Sequence, residues 1–283
     1  MGMRTKVAIG SLAAIVVVAA SAMAIGRAAF ERRLAGEATS LLAASTGREP
    51  RVVTEADLAT LPDPVQRWLR WARVPGTTIP RTVRLTQEGR FRLGPDRGWM
   101  PFTAEEVYST DPPGFVWTTE MRMLPLVDIV GRDRYAEGRG SIEMRALGVF
   151  SVARASGPAL DQGALLRYLN ETIWFPAAVL SPAIRWSAID EHSARATISD
   201  GEVTADAVFF FDQEGRPVDM IAERQDLARG RLETWSTPLT AYGEFSGIRI
   251  PSAGTAVWKY DGGDFTYIEL RVTGVTYDPP PAA

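Results

Sequence analysis

The hydrophobic pattern changes period along the chain, and each change marks an element. Residues 7–25 are nineteen positions without a charge, preceded by Arg4 and Lys6. At ~1.5 Å per residue a helix of that length just crosses a hydrocarbon core of about 30 Å. Helical spacing continues through residues 28–44, with Phe30, Leu34, Ala38, Leu41 and Leu42 on one side, as in a stalk or connecting helix. Thr54 and Asp57 have the spacing of a capping box. A short amphipathic helix follows, with Asp63 as expected N-cap and Pro64 in its first turn. Val65, Trp68, Leu69 and Ala72 form its apolar face, Arg67, Arg70 and Arg73 its solvated face, and Pro75-Gly76 its stop.

From residue 82 the period becomes two. Val83, Leu85, Phe91 and Leu93 alternate with Arg84, Thr86, Glu88, Arg90 and Arg92, which predicts a half-buried strand. Gly94-Pro95-Asp96 and Asp111-Pro112-Pro113-Gly114 read as turns. In the strand after them Phe115, Trp117, Thr119, Met121 and Met123 share a face. Gly138, Gly140 and Gly148 punctuate three more strands within residues 128–155. A helix expected over 163–172, capped by Asp161, carries Leu165, Leu166, Leu169 and Ile173 and runs into Trp174-Phe175-Pro176. Hairpins then resume, with turn signals at Ser199-Asp200-Gly201, Asp212 to Gly215 and Asp261-Gly262-Gly263. The expectation is a mainly β chain whose strands, about eleven or twelve and short, form an antiparallel barrel, half-barrel or sandwich. A transmembrane or signal helix (1–25) and a helical linker (26–60) precede the single β-rich domain (61–278), and a Pro-rich tail (279–283) follows it.

Composition narrows the chemistry. With 46% hydrophobic and 23% charged residues the chain is globular, and a net charge of −3 is no footprint for nucleic acid. The absence of Cys excludes disulfides, thiolate metal sites and a cysteine nucleophile, and the single His192 excludes any site needing two imidazoles. No cofactor is implied. Ala20-Ser21-Ala22 and Ala22-Met23-Ala24 have the small-residue pattern of a cleavage site, so the apolar run is either a removed signal peptide or a retained anchor. The favoured placement is a bacterial cell membrane protein with one span and its body exported. Cleavage of 1–24 would make it secreted or periplasmic.

The order of helix, six strands, helical insertion and further strands resembles the lipoprotein-carrier fold, which implies that the strands form a curved antiparallel half-barrel with helices covering its concave side. The strings LPDPVQRWLR at 61–70, WMPFTA at 99–104, GRDRY at 131–135 and RYLNE at 167–171 running into WFP at 174–176 are similar to an uncharacterised bacterial family of anchored or exported proteins. That resemblance implies no activity and no site residues.

Few side chains carry candidate chemistry. His192 lies at a predicted hairpin corner without a nucleophile elbow. On a strand over 131–135, Arg132 and Arg134 share one face, and Asp133 and Tyr135 the other. Asp133 beside Tyr135 suits acid–base work or a grip on a polar head group, while an ion pair with Glu143 or Glu137 is the structural alternative. Arg167 and Glu171 share a helical face and read as a surface pair. Trp174 and Phe175 are placed to plug or line the mouth of a half-barrel. The leading expectation is a non-catalytic envelope protein holding an apolar or amphipathic, lipid-like ligand. Its expected ligand-contacting residues are Trp117, Met121, Asp133, Tyr135, Leu169, Trp174 and Phe175, and membrane lipid is its expected partner. The alternatives are an acid–base or hydrolytic enzyme using Asp133, Tyr135 and Glu171, and a scaffold subunit pairing through a sheet edge.

Overall fold

The computed structural model describes residues 3–45, 49–124 and 127–279; residues 280–283 of the Pro-rich tail lie outside the described residues. A long helix, α1 (Met3–Ala44), is followed by two short ones, α2 (Glu55–Leu58) and α3 (Asp63–Trp71). Six strands come next: β1 (Thr82–Phe91), β2 (Met100–Thr110), β3 (Pro113–Leu124), β4 (Val127–Ala136), β5 (Arg139–Ala146) and β6 (Phe150–Ser156). Helix α4 (Pro158–Glu171) and two turns of 3₁₀ helix, Thr172–Trp174 and Pro176–Leu180, interrupt the strands. Eight more follow: β7 (Ile184–Asp190), β8 (Ser193–Asp200), β9 (Val203–Phe211), β10 (Pro217–Asp226), β11 (Arg231–Ser236), β12 (Leu239–Phe245), β13 (Ile248–Tyr260) and β14 (Gly263–Tyr277).

All fourteen strands among the described residues join one antiparallel sheet, ordered β6-β5-β4-β3-β2-β1-β14-β13-β11-β10-β9-β8-β7, with β12 paired to β13. Two meanders meet where β1 pairs with β14. A sheet this wide must curl. Here α4 leaves edge strand β6, crosses the concave side and returns the chain to the other edge, β7, packing on β5, β9 and β10 on the way. The half-barrel expectation therefore holds, with more strands than the sequence predicts. The extra ones come from turns at residues 227–230 and 246–247, whose Leu-Ala-Arg-Gly and Ser-Gly sequences are weak signals; Gly230 and Gly247 both take positive φ there.

The main core fills the concave side. Trp68 of α3 stacks on Phe209 and packs at a tilt against Phe211, and Phe175 packs on Tyr108 at 4.6 Å and on Tyr168 at 5.8 Å. Val53 and Leu58, in the stretch read as linker, are buried in this same core. The Thr54–Asp57 capping box forms, whereas α3 begins at Asp63 with Pro62 as its N-cap, one residue before the expected start. Helix α4 starts a turn early, at Pro158, and the Asp161 carboxylate accepts the Gly140 backbone N–H at 2.7 Å instead of capping. Gly140 is not a turn but a strand residue: a Cβ there would meet the Leu160 carbonyl at 2.5 Å, so glycine lets α4 lie against β5.

Helix α1 packs along the convex side. Phe30 and Leu34 bury against Val130, and Leu41 against Val107, Val116 and Ala136. Arg27 pairs with Glu120 at 2.6 Å, Arg33 with Glu143 at 2.6 Å, and Ser45 bonds Ser109 at 2.5 Å. The helix thus runs from the start of β4 and the β5–β6 turn towards the β2–β3 turn. Between residues 14 and 25 it stands largely clear of the body, with Ile15, Val16, Val17, Val18 and Ile25 exposed. Its N-terminal part is long and apolar enough to span a membrane or to serve as a signal.

Candidate functional site: a cavity with a charged floor

The concave side is not filled to both ends. Below, aromatic side chains seal it; above, a cavity of about 750 Å³ remains between the sheet, α4 and the 3₁₀ turn that follows. That volume is within the range of small-molecule sites. One wall is aliphatic and methionine-rich, with Met100, Met121, Ile129 and Met144 from β2–β5. The other is aromatic. Trp258 stacks on Tyr260 and Tyr267, and the Trp235 indole donates to the Tyr267 hydroxyl at 3.0 Å. Thioether chains adapt to an irregular guest, whereas the linked aromatic ladder holds its shape.

The mouth is formed by Leu93 of the β1–β2 loop, Met123 at the end of β3, Val152 at the start of β6 and Leu227 of the β10–β11 turn. All four are exposed. Strand pairing puts these positions at one end of the sheet: Phe91 faces Met100, Arg122 faces Asp128, Ala146 faces Phe150 and Asp226 faces Arg231. Helix α1 leaves the body at this same end, where Gly26 lies against Val149 and Arg27 against Gly148.

The floor is polar. Arg167 of α4 donates to Glu171 at 2.7 Å, to Asp133 at 2.7 Å and to Glu106 at 2.9 Å, and lies over the rings of Phe115 and Trp117. One guanidinium thus serves three carboxyl groups. Glu106 is wholly buried, and that burial pushes its carboxyl well above the usual range; burial likewise raises Glu171. The Tyr108 hydroxyl donates to Glu171 at 3.2 Å. The same carboxylates raise Arg167 further above its ordinary value against the opposing pull of burial. Beside this cluster the Trp117 indole N–H donates to Gln87 Oε1 at 3.0 Å.

Of the residues expected to meet a ligand, Trp117, Met121, Asp133 and Trp174 line this cavity. Leu169 and Phe175 are fully buried in the core below it. Tyr135 is also fully buried, its hydroxyl donating to Asp200 at 2.8 Å; burial and that carboxylate push its pKa far up. Asp133, Tyr135 and Glu171 are therefore not gathered at one point: the first and third hold Arg167, while the second is committed elsewhere. The Arg167–Glu171 pair is not on the surface as expected but buried beneath the cavity. Arg132 meets Glu143 at 4.0 Å, the structural partner foreseen for it. His192 sits in the β7–β8 turn. Sequence reasoning missed Gln87 and Glu106. The signal was present, since each is a lone polar residue in phase with an apolar strand face: Val83, Leu85, Gln87, and Phe102, Ala104, Glu106, Tyr108.

Solved structures similar to this chain share little sequence with it. A DUF1329 family protein from Desulfovibrio piger is 9% identical with a TM-score of 0.45, covering 79% of this chain and 96% of its own. A LolA superfamily protein from Nitrosomonas europaea is 12% identical with a TM-score of 0.44, covering 77% and 94%. A beta-barrel-like protein of DUF1849 from Brucella abortus is 10% identical with a TM-score of 0.22, covering 70% and 98%. No curated protein matches the chain by sequence. The family model that does match spans residues 51–270, from the strand-like segment before α2 into β14, and by it the chain belongs to a family of unknown function, DUF6544.

Proposed function

We propose that this protein is a membrane-tethered envelope protein that binds an apolar or amphipathic, lipid-like ligand in the concave cavity, without catalysis. The observation that carries this reading is the placement of the mouth. An apolar cavity opens at the end of the sheet where α1 leaves the body, and the exposed side chains around the opening are Leu93, Met123, Val152 and Leu227. A bilayer held by the apolar part of α1 lies beside that opening, so a lipid-like guest has a short path from membrane to cavity. Apolar transfer drives its entry, at about 25 cal/mol for each Å² of ligand surface removed from water.

Trp174 provides the test. It lines the cavity, and its carbonyl accepts the Tyr277 hydroxyl at 2.8 Å, which anchors the backbone independently of the ring. Trp174→Ala is expected to keep a cooperative melt, enlarge the cavity and change the affinity for a fluorescent lipid analogue. Native mass spectrometry of gently extracted full-length protein is expected to show a bound lipid. Protein that carries none, binds no analogue and loses its melt on Trp174→Ala would overturn the ligand-binding reading in favour of a scaffold. Tethering is tested separately: an alkaline phosphatase fused to the C-terminus should be active and sediment with membranes. An inactive fusion refutes export.

A further inference from the structure

Isolated apolar side chains on a protein surface are ordinary, so their distribution matters more than their presence. On the body of this protein they gather at one end. Leu93, Met123, Val152 and Leu227 ring the mouth of the cavity, and Leu124, Phe150 and Leu232 stand exposed at the same end without lining it. Leu124 closes β3, Phe150 opens β6 and Leu232 lies one residue inside β11, so both meanders contribute. Among the described residues, the other large apolar side chains exposed on the body are Val52 and Ile189. Val52 pairs with Thr78 ahead of β1, and Ile189 is near the turn where Arg67 of α3 donates to the Glu191 carbonyl, both at the opposite end. Trp99 of the β1–β2 loop has the guanidiniums of Arg90 and Arg92 each 4.6 Å from its ring centre. An indole flanked by cations suits the head-group level of a bilayer. Exposed charges at this end have both signs, Arg97 and Arg122 against Asp96 and Asp261, so charge does not choose the partner. Helix α1 does. Its exposed apolar stretch leaves the body here, with Gly26 against Val149, the residue before Phe150.

We propose that the mouth end is itself a docking surface for the bilayer that holds α1, with Leu93, Leu124, Phe150, Val152, Leu227 and Leu232 embedded about 5–10 Å into the boundary between head groups and acyl chains. The cavity then opens into lipid, and a guest passes from the acyl layer to the cavity without crossing water. This rests on the tethered reading and adds the orientation of the body. A single anchor would leave the body free to turn away, whereas apolar side chains removed from water hold it mouth down. The depth stays shallow because the backbone N–H and C=O groups of the turns need water or head-group partners.

The chain contains no Cys, so a single spin label can be placed at any chosen residue. Leu124→Cys, Phe150→Cys and Leu232→Cys put it on the rim but outside the cavity, so the pocket itself cannot shield it. Val52→Cys and Ile189→Cys put it at the other end. All five side chains are at least half exposed, which keeps the substitutions out of the core. Full-length labelled protein in phosphatidylcholine nanodiscs is read by power-saturation electron spin resonance with oxygen and a water-soluble nickel chelate. The three rim labels should show a several-fold higher ratio of oxygen to nickel accessibility than the two controls. Equal ratios at both ends, in protein that stays in the nanodisc, overturn docking and leave the tether standing. A raised ratio at Phe150 alone, the position beside α1, also overturns docking, because a rim in the bilayer must include Leu232 of the other meander. Protein that does not enter nanodiscs overturns both docking and tether. Cavity occupancy plays no part in the readout, so ligand binding stands or falls separately.

Discussion

Two arginines one sheet thickness apart occupy opposite electrostatic settings. Arg132 and Asp133 are neighbours on β4, so strand alternation sends the first to the convex face and the second to the concave one. On the convex side Arg132 lies 3.2 Å from Glu37 of α1 and 4.0 Å from Glu143, while Arg33 and Arg145 also hold Glu143. There guanidiniums outnumber carboxylates. Burial works to raise the Glu143 carboxyl, yet its bonds to Arg33 and Arg145 prevail and hold it below the usual range. On the concave side the balance reverses, with Arg167 alone among Glu106, Asp133 and Glu171. The convex cluster binds a helix to the sheet. The concave cluster borders the cavity through Asp133, Arg167 and Glu171, which is the difference between a fastening and a floor.

Substitutions at the two arginines should separate those roles. Arg167→Leu strips the counter-charge from three buried carboxyl groups at once, and thermal or chemical denaturation should show a loss of about 3–5 kcal/mol. Arg132→Leu leaves Glu143 with two remaining arginines, so a smaller loss of about 1–3 kcal/mol is expected. Lipid-analogue binding should survive the Arg132 change. Equal losses at the two sites would break the comparison.

The smallest effect concerns protons. Glu106 has a folded-state pKa raised above its unfolded value, so the native state binds the proton more tightly. The stability this contributes is complete below the unfolded carboxylate range and is lost as pH rises through the raised native value. Glu106→Gln keeps the shape without the titration. It should change the melting temperature little in mild acid and flatten its decline towards alkaline pH. A decline identical in both proteins would show that the proton is not held at Glu106.

Local pattern decided much of this molecule. The apolar run within α1, the capping box at Thr54, the alternation in β1–β4 and the helical insertion after β6 are all short-range signals, because periods of 3.6 and two are imposed by the backbone itself. That alternation also assigned Arg132 and Asp133 to opposite faces before any partner was known. Curvature, by contrast, came from the width of the sheet and from α4 crossing it, and depth within that curve decided which inward residues meet a guest. Trp174 and Phe175 are adjacent in sequence, yet one lines the cavity and the other packs on Tyr108. Arg167 and Glu171 have the spacing of an exposed pair, and only the sheet closing over α4 buries them. The carboxyl groups that complete the floor come from β2 and β4, 61 and 34 residues away in the chain from Arg167. Charge balance at such a site is a sum over non-local neighbours, so no spacing along the sequence encodes it, and the tertiary structure alone made it a floor.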